Sequence, residues 1–270
     1  PDSSFTSPQF GEAMCLLLAL PSLCCRDRLG EKVGKRRVDL FGVNILNETL
    51  EGGGFTRRHD TVKLELNSMA AYCGVIDTCE PYGIFGSLAP QQPLHRLQAG
   101  QARVVIRPDF LLELPDQAPH QLPSQHSRNV VVRLADVKTI SLGGPSYYKP
   151  GATEDKAAVG IRAGKISGEY RRKAEKLDRE LGHPDGQGPA CRRLRRYAGG
   201  EVLDLVFGGY GEGSQGVWTL LGHMANCRLR KLGLARGSPG LDQELAILTH
   251  RLQKRLSVAI IRANVSLLLE

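Results

Sequence analysis

Two short motifs carry the residues of this chain that are best suited to chemistry on a phosphate. The first is a Pro-Asp pair that places Asp109 directly before a short apolar run. The second is an Asp-x-Lys triplet, with Asp136 and Lys138, inside a longer apolar run. Two carboxylates that converge can bind a divalent cation, and a nearby ammonium group can orient a water molecule and stabilise negative charge. Asp109 and Asp136 are therefore candidate metal ligands, and together with Lys138 they are candidate catalytic residues.

The elements that must position these residues are two predicted strands. The apolar runs 110–114 and 130–140 are short, and Pro, Ser, Asn or Gly bound them, which predicts two strands joined by a long loop. Strand side chains alternate between faces, so Asp136 and Lys138 should share one face. If Asp109 reaches that face, its carboxyl oxygens should lie within about 5 Å of those of Asp136. The alternative is a simple surface ion pair between Asp136 and Lys138, which would stabilise the fold very little.

Length and composition indicate a globular protein, and its charge favours polyanionic partners without proving one. The chain has 270 residues, 41% hydrophobic and 24% charged, which suits one large or two small domains. Its net charge of +8 favours polyanions such as DNA or RNA. The apolar run 13–20 is too short to span a bilayer, so we expect no membrane association. Seven cysteines without regular spacing argue for an intracellular, reducing compartment. The chain starts at Pro1 and ends on an apolar run, which suggests a segment of a longer protein.

A helix is predicted ahead of the strands, from about Asp60 to Tyr72, because apolar residues recur there at helical spacing. Glu65 flanks this apolar stripe and is the candidate for an additional metal ligand. His59 lies at the start of the helix. It is interpreted as a hydrogen-bonded, partly buried histidine, with a contact to phosphate as the alternative.

A second predicted helix is strongly basic. Ser167 is its expected N-cap, and the residues from Tyr170 to Leu181 at helical spacing form its apolar face. The opposite side of this helix is basic. It can be a solvated face or a surface that binds phosphate. The candidate nucleic-acid-binding residues on that side are Arg171, Arg172, Lys173, Lys176 and Arg179.

The C-terminal third predicts a further strand and two helices. A strand at 201–207 leads into the glycine-rich turn 208–213, which lacks both the Walker ending and the dinucleotide-binding spacing. A helix follows from Ser214, and a long one carries leucines at near-heptad spacing from Leu241 onward. That last helix could pack on its own core or on a neighbouring chain. The order of elements predicts an α/β fold with a central mixed sheet flanked by helices and a long C-terminal helix.

Several features together resemble a known family. They are the basic stretch 32–37, the cluster 41–46, the glycines 52–54, an Arg-His-Asp sequence that opens a helix, and the two acidic motifs. This arrangement resembles the region downstream of the reverse transcriptase in site-specific non-LTR retrotransposons, where a zinc knuckle precedes a restriction-like endonuclease of the PD-(D/E)xK type. The resemblance covers roughly residues 10–140. It implies an N-terminal segment 1–54, a nuclease-like core 55–235 and a C-terminal helix 236–270 packed on that core.

The knuckle departs from the family pattern. The sequence has adjacent cysteines at Cys24 and Cys25, Asn44 where a histidine is expected, and Thr49 near the position of the last cysteine. Adjacent cysteines are poor ligands for one tetrahedral zinc ion, so we expect no structural zinc.

The resemblance implies a Mg²⁺- or Mn²⁺-dependent DNA endonuclease that nicks DNA, acts in the nucleus, and binds metal through Asp109 and Asp136, to which the helix pattern adds Glu65 as a candidate ligand. Two alternatives stay open. One is a catalytically inactive module on the same fold that still binds DNA or RNA. The other is an α/β interaction domain that assembles through its long terminal helix, and the oligomeric state is open in every case.

Overall fold

The computed structural model describes residues 4–48, 54–81, 83–88, 106–115, 130–140, 155–184, 186–234 and 238–269, and the statements below concern these residues. The helices are α1 (Ser7–Leu17), α2 (Val43–Leu46), α3 (Gly54–Cys73), α4 (Gly83–Gly86), α5 (Asp155–Ala163), α6 (Ile166–Glu180), α7 (Pro189–Arg195), α8 (Gln215–Lys231) and α9 (Leu241–Leu269). The strands are β1 (Lys32–Val33), β2 (Arg36–Arg37), β3 (Ile76–Cys79), β4 (Phe110–Pro115), β5 (Val130–Thr139) and β6 (Val202–Phe207).

Four strands form a mixed sheet in the order β3-β4-β5-β6. The pairs β3–β4 and β4–β5 are antiparallel, whereas β5 and β6 are parallel. Helices α5, α6 and α7 lie between β5 and β6 in the chain, as a parallel connection requires. Strands β1 and β2 form a separate two-stranded sheet. The fold is therefore mixed α/β, with a central mixed sheet flanked by helices and a long C-terminal helix, as the sequence predicts.

Strand β5 is buried on both faces of the sheet. Ala135 and Val137 belong to a core that also contains residues of α3, α8 and α9. Leu134 belongs to the core on the opposite face, with residues of α6 and α7. Since side chains alternate along a strand, Asp136 and Lys138 lie on the α6 face. The predicted shared face of these two residues is confirmed.

Helix α3 begins earlier than the sequence predicts. It starts at Gly54 rather than near Asp60, although its apolar stripe, with Val62 and Leu66, is buried as expected. The additional residues before Asp60 include Arg58, which is buried and donates a hydrogen bond to Asn264 of α9 at 3.1 Å. Local sequence signals near Asp60 could not reveal this contact with a distant helix.

Helix α6 has the predicted inward face, with Tyr170, Ala174 and Leu177 buried. The predicted cap is wrong, since Lys165 occupies the N-cap position and makes no side-chain cap hydrogen bond. The Ser167 hydroxyl instead accepts from the amide of Val202 at 3.1 Å and lies 3.3 Å from its carbonyl oxygen. Ser167 thereby fastens the start of α6 to the start of β6.

Helix α9 spans Leu241–Leu269 and packs on its own chain. Leu252, Leu256 and Ile260 enter the sheet core, and Leu267 and Leu268 pack on the N-terminal segment. None of the described helices combines the length and the apolarity needed to cross a membrane.

Candidate active site

Asp109 is held against β5 by two hydrogen bonds. Its backbone amide donates to the carbonyl of Ala135 at 3.0 Å, and its Oδ2 accepts from the amide of Val137 at 2.8 Å. These contacts flank Asp136 along β5. In addition, Asp109 directly precedes Phe110, the residue paired with Ala135. The structure therefore places Asp109 at the junction of β4 and β5, bonded to the residues on either side of Asp136.

Asp136 and Lys138 form an ion pair at the edge of the buried region. The Asp136 side chain is almost fully buried, whereas the Lys138 side chain is 35% exposed. The Lys138 Nζ lies 2.6 Å from Oδ2 of Asp136. That oxygen is buried, and within the described part of the chain no donor, including this ammonium group, meets it with hydrogen-bond geometry. The pair is thus held by charge, and Oδ2 keeps an unused acceptor direction.

Tyr170 of α6 contacts the other oxygen of Asp136. Its hydroxyl lies 2.8 Å from Oδ1 of Asp136 and 2.9 Å from the carbonyl oxygen of Arg107, and it has one hydrogen to share between them. Burial raises the pKa of Tyr170, and the negative charges of Asp136 and Asp109 raise it further. The phenol therefore stays protonated and acts as a donor near both aspartates.

A second set of charged groups surrounds Asp109. His59 and Lys63 are one turn apart on α3 and so share a face. The His59 Nε2 lies 3.4 Å from Oδ2 of Asp109, and the Lys63 Nζ lies 3.4 Å from Oδ1. Lys63 also pairs with Glu80, and His59 Nδ1 lies 3.2 Å from a carboxylate oxygen of Asp60. The His59 side chain is 25% exposed, which agrees with its interpretation as a hydrogen-bonded, partly buried histidine.

These contacts shift the pKa values in a consistent way. Burial raises the pKa of Asp109, but the hydrogen bond and charge of His59, a backbone amide and the charge of Lys63 outweigh it and leave the pKa below its usual value. Burial lowers the pKa of His59, and its contacts with carboxylates raise it above the usual value. For Lys63, the contacts with Glu80 and Asp109 likewise outweigh burial and raise the pKa. Asp109 is therefore ionised, and it faces the ammonium group of Lys63 and the imidazole of His59.

Lys63, Glu80 and Tyr170 also belong to this site, although no sequence motif indicated them. The four-residue spacing between His59 and Lys63 places both side chains on one face of a helix, and this signal was present in the sequence. Glu80 follows β3, whose last residue pairs with the first residue of β4, and its amide donates to the carbonyl of Asp109 at 2.7 Å. Glu80 reaches the site because β3 pairs with β4, and Tyr170 reaches it because α6 packs on β5.

The structure does not bring Glu65 to this site. Glu65 forms an ion pair with Arg255 of α9, and Arg255 also donates to the hydroxyl of Ser68 at 2.9 Å. Residues two positions apart on a helix point in different directions, so Glu65 cannot share the orientation of Lys63. Its expected role as a metal ligand is replaced by a contact between α3 and α9.

The basic face of α6 lies next to the site. Tyr170 points inward from this helix, and the Nζ of Lys173 lies 5.4 Å from the centre of the Tyr170 ring. The predicted phosphate-binding residues are all exposed, and they are Arg171, Arg172, Lys173, Lys176 and Arg179. These five side chains and, in part, Lys138 are therefore accessible to solvent.

The residues of the degenerate knuckle are engaged in other contacts. The Cys24 thiol lies 3.2 Å from the carbonyl of Leu268, Cys25 is buried in an apolar cluster, and the Asn44 amide donates to the carbonyl of Arg37. Burial raises the pKa of Cys24 to about 12, so it is a thiol and not the thiolate that zinc requires. Thr49 lies outside the described residues. The absence of structural zinc stays a prediction.

The ligands of a divalent cation would be few. Among the described residues, no group of three or more His, Cys, Asp or Glu side chains could hold a metal ion. Mg²⁺ often uses only one or two carboxylates, because water and substrate phosphates complete its coordination. Asp109 and Asp136 supply hard oxygen donors, and Oδ2 of Asp136 has an unused acceptor direction. These residues fit a Mg²⁺ or Mn²⁺ ion shared with a bound phosphate, and not an ion held by the protein alone.

Comparison with known proteins yields no relative from which a function could be carried over. No protein-family model, no curated protein and no solved structure matches this chain. The function proposed below is therefore inferred from the geometry of the site.

Proposed function

We propose that this protein is a metal-dependent DNA endonuclease that hydrolyses one phosphodiester bond and leaves a nick. The observation that supports the proposal is the position of Asp109, whose carboxylate accepts from the amide of Val137, the residue between Asp136 and Lys138, which form an ion pair. Carboxylates can hold a divalent cation against a phosphate, and the cation activates a water molecule for hydrolysis of a phosphodiester.

The order of elements supports the resemblance to restriction-like endonucleases. Helix α3 precedes three antiparallel strands, the Pro-Asp pair opens the middle strand, and the Asp-x-Lys triplet lies in the third. Helices then connect to the parallel strand β6. The proposal includes what the resemblance implies, namely a retroelement protein as the source and the nucleus as the place of action.

Each residue has a defined role in the proposed reaction. Asp109 and Asp136 would hold Mg²⁺ or Mn²⁺, which when bound reduces the charge of the phosphate and acidifies a water molecule. Lys138, partly exposed beside Asp136, orients the attacking water and stabilises the negative charge that develops on the phosphorane. Tyr170 keeps the Asp136 carboxylate in position by its hydrogen bond.

The exposed cations of α6 would bind backbone phosphates on either side of the cleaved bond. Such contacts release counterions from DNA, so the affinity should fall steeply with salt concentration. They carry no sequence information, and the proposal therefore includes no target sequence.

The test is nicking of supercoiled plasmid by the full chain in Mg²⁺ and in Mn²⁺. We expect nicked circles with the wild type and a loss of rate by roughly 100-fold or more for Asp109→Asn, Asp136→Asn and Lys138→Gln. Glu65→Gln is the matched control, because it changes a carboxylate on the neighbouring helix that pairs with Arg255. If Asp109→Asn nicks at the wild-type rate, the assignment of the site is wrong.

A second candidate is a nucleic-acid-binding module without nuclease activity. The observation in its favour is that Lys63, His59 and a backbone amide already contact both oxygens of Asp109. Cationic groups in these positions compete with a metal ion for the carboxylate. This candidate predicts salt-sensitive binding of DNA or RNA, with no nicking by the wild type in either metal.

A further inference from the structure

A cleft of about 560 Å³ opens beside the candidate active site. It lies between the end of β3 and the C-terminal end of α7. Thr78, Glu80, Ile84, Arg193, Arg196 and Tyr197 are among the residues that line it. Its volume is within the range of sites that bind small molecules. The cleft therefore has room for one nucleotide.

Glu80 joins the cleft to the candidate active site. Its side chain lines the cleft and pairs with Lys63, which also contacts Asp109. Its backbone amide donates to the carbonyl of Asp109 at 2.7 Å. A ligand in the cleft would thus lie near Asp109, one of the carboxylates proposed to act on a phosphate.

Two arginines make the cleft suitable for an anion. Arg193 uses Nη1 to contact the carbonyl of Ile84 at 2.6 Å and the hydroxyl of Ser87 at 2.8 Å. These contacts hold the guanidinium in place and leave its other N–H donors for a ligand. Arg196 is exposed and adds a second guanidinium at the same wall. Guanidinium groups match the geometry of phosphate oxygens.

Tyr197 provides an aromatic surface in the same cleft. It is half-buried and packs against the core on the α6 face, so its ring has a supported position. The chain turns sharply just after it, with positive φ at Ala198 (44°), Gly199 and Gly200. Glu80 also has a positive φ, of 50°. Left-handed non-glycine residues are costly and concentrate at functional sites, and here they flank the cleft on both sides.

We infer that this cleft binds an unpaired nucleotide of the substrate strand, next to the phosphate that is cleaved. The base stacks on Tyr197, and its phosphate contacts Arg193 and Arg196. Stacking on aromatic rings combined with basic side chains is the usual way in which proteins bind single-stranded nucleic acid. The inference rests on the proposed function, because it takes nucleic acid as the ligand.

The test measures binding of a fluorescein-labelled single-stranded 12-mer DNA to the full chain, by fluorescence anisotropy in EDTA at several salt concentrations. We expect Tyr197→Leu to weaken binding roughly tenfold, and Tyr197→Phe to bind like the wild type. Arg196→Gln should lower the slope of log affinity against log salt by about one. Arg251→Gln is the control, since it removes the same charge from an exposed position on α9, across the sheet. It should leave the slope unchanged.

The outcomes separate this inference from the proposed function. If the wild type does not bind the 12-mer, or if Tyr197→Leu and Arg196→Gln bind with the wild-type affinity and slope, the cleft is not a nucleotide site, even if the protein nicks plasmid. If both variants show the expected losses and plasmid is not nicked, the cleft is a nucleotide-binding site and the nuclease proposal is wrong. A loss of far-ultraviolet circular dichroism in Tyr197→Leu would show that this variant does not fold. The test then depends on Arg196→Gln, whose side chain is exposed, and an unchanged slope of log affinity against log salt for that variant overturns the inference.

Discussion

The hydroxyl of Tyr170 lies 2.8 Å from Oδ1 of Asp136, which links helix α6 to the carboxylate at the centre of the candidate site. Tyr170 points inward from α6, and the neighbouring Lys173 is exposed on the outer face. One helix therefore orients an acidic residue and presents cations to a phosphate chain. Any shift of α6 would change both functions together.

Tyr170→Phe tests this link. The change removes a hydrogen bond to a buried carboxylate, and we expect the free energy of unfolding to fall by about 1–2 kcal/mol, with a lower nicking rate. Urea denaturation and plasmid nicking measure the two effects. Tyr72→Phe is the control, because that ring is exposed and stacks beside Arg228. Equal stability of Tyr170→Phe and the wild type would contradict the contact.

The pairing of Glu65 with Arg255 predicts a structural role for Glu65. Both side chains are partly exposed, so Glu65→Gln should lower the free energy of unfolding by less than about 1 kcal/mol. The nicking rate and its dependence on Mg²⁺ should stay the same. A large increase in the Mg²⁺ concentration required by Glu65→Gln would show instead that Glu65 reaches the metal.

His59 should make stability depend on pH. Its pKa in the folded protein lies above the usual 6.5, so its contribution is fully present below pH 6.5 and is lost as the pH rises through the folded-state pKa. We expect the free energy of unfolding to fall above about pH 6.5 in the wild type, and to change less in His59→Gln. Asp109 acts in the opposite sense. Its pKa lies below the usual 3.8, so its contribution is present above pH 3.8 and is lost as the pH falls through the folded-state pKa.

Urea denaturation at a series of pH values measures the contribution of His59, and nuclear magnetic resonance titration of its ring gives the pKa directly. Asp109→Asn should lower the pKa of His59, because it removes the carboxylate that raises it. A His59 ring that titrates below 6.5 in the wild type would contradict the raised pKa, because burial would then outweigh the contacts with carboxylates.

Asp178 should be essential for the position of α7. Its buried carboxylate accepts hydrogen bonds from the amides of Ala190 at 2.7 Å and Cys191 at 3.0 Å, in the first turn of that helix. We expect Asp178→Ala to lower the free energy of unfolding by about 2 kcal/mol, since it leaves buried amides unpaired. Glu180→Ala is the control. It changes an exposed acidic residue of α6, the helix that also carries Asp178, and should change the free energy of unfolding by no more than about 0.5 kcal/mol. Chemical denaturation of both variants distinguishes these outcomes.

Metal analysis of the purified chain tests the expected absence of structural zinc. Because Cys24 is a buried thiol with a raised pKa and Cys25 packs among apolar residues, we expect a zinc content well below one ion per chain. The Cys24→Ser variant should retain wild-type stability in the presence of a chelator. One zinc ion per chain, lost in Cys24→Ser, would contradict this prediction.

Local periodicity determined much of the fold. The apolar runs predict β4 and β5 nearly to the residue, and helical spacing predicts the inward face of α6, because alternation and the helical repeat depend only on neighbouring residues. The same alternation predicts that Asp136 and Lys138 share a face. These features were available without any knowledge of how the elements pack.

Tertiary structure decided the rest of the site. The side chains of α3 that face the sheet are set by how that helix is rotated against β5 and α9. This rotation directs Lys63 to Asp109 and Glu65 to Arg255. The contacts of Tyr170 and Glu80 likewise need residues that are tens of positions away in the chain. The sequence alone specified two acidic motifs and the strands that carry them. Only the packing of α3 and α6 on the sheet determined which cations and donors surround those carboxylates, because side chains far apart in sequence meet only through the global arrangement of helices and strands.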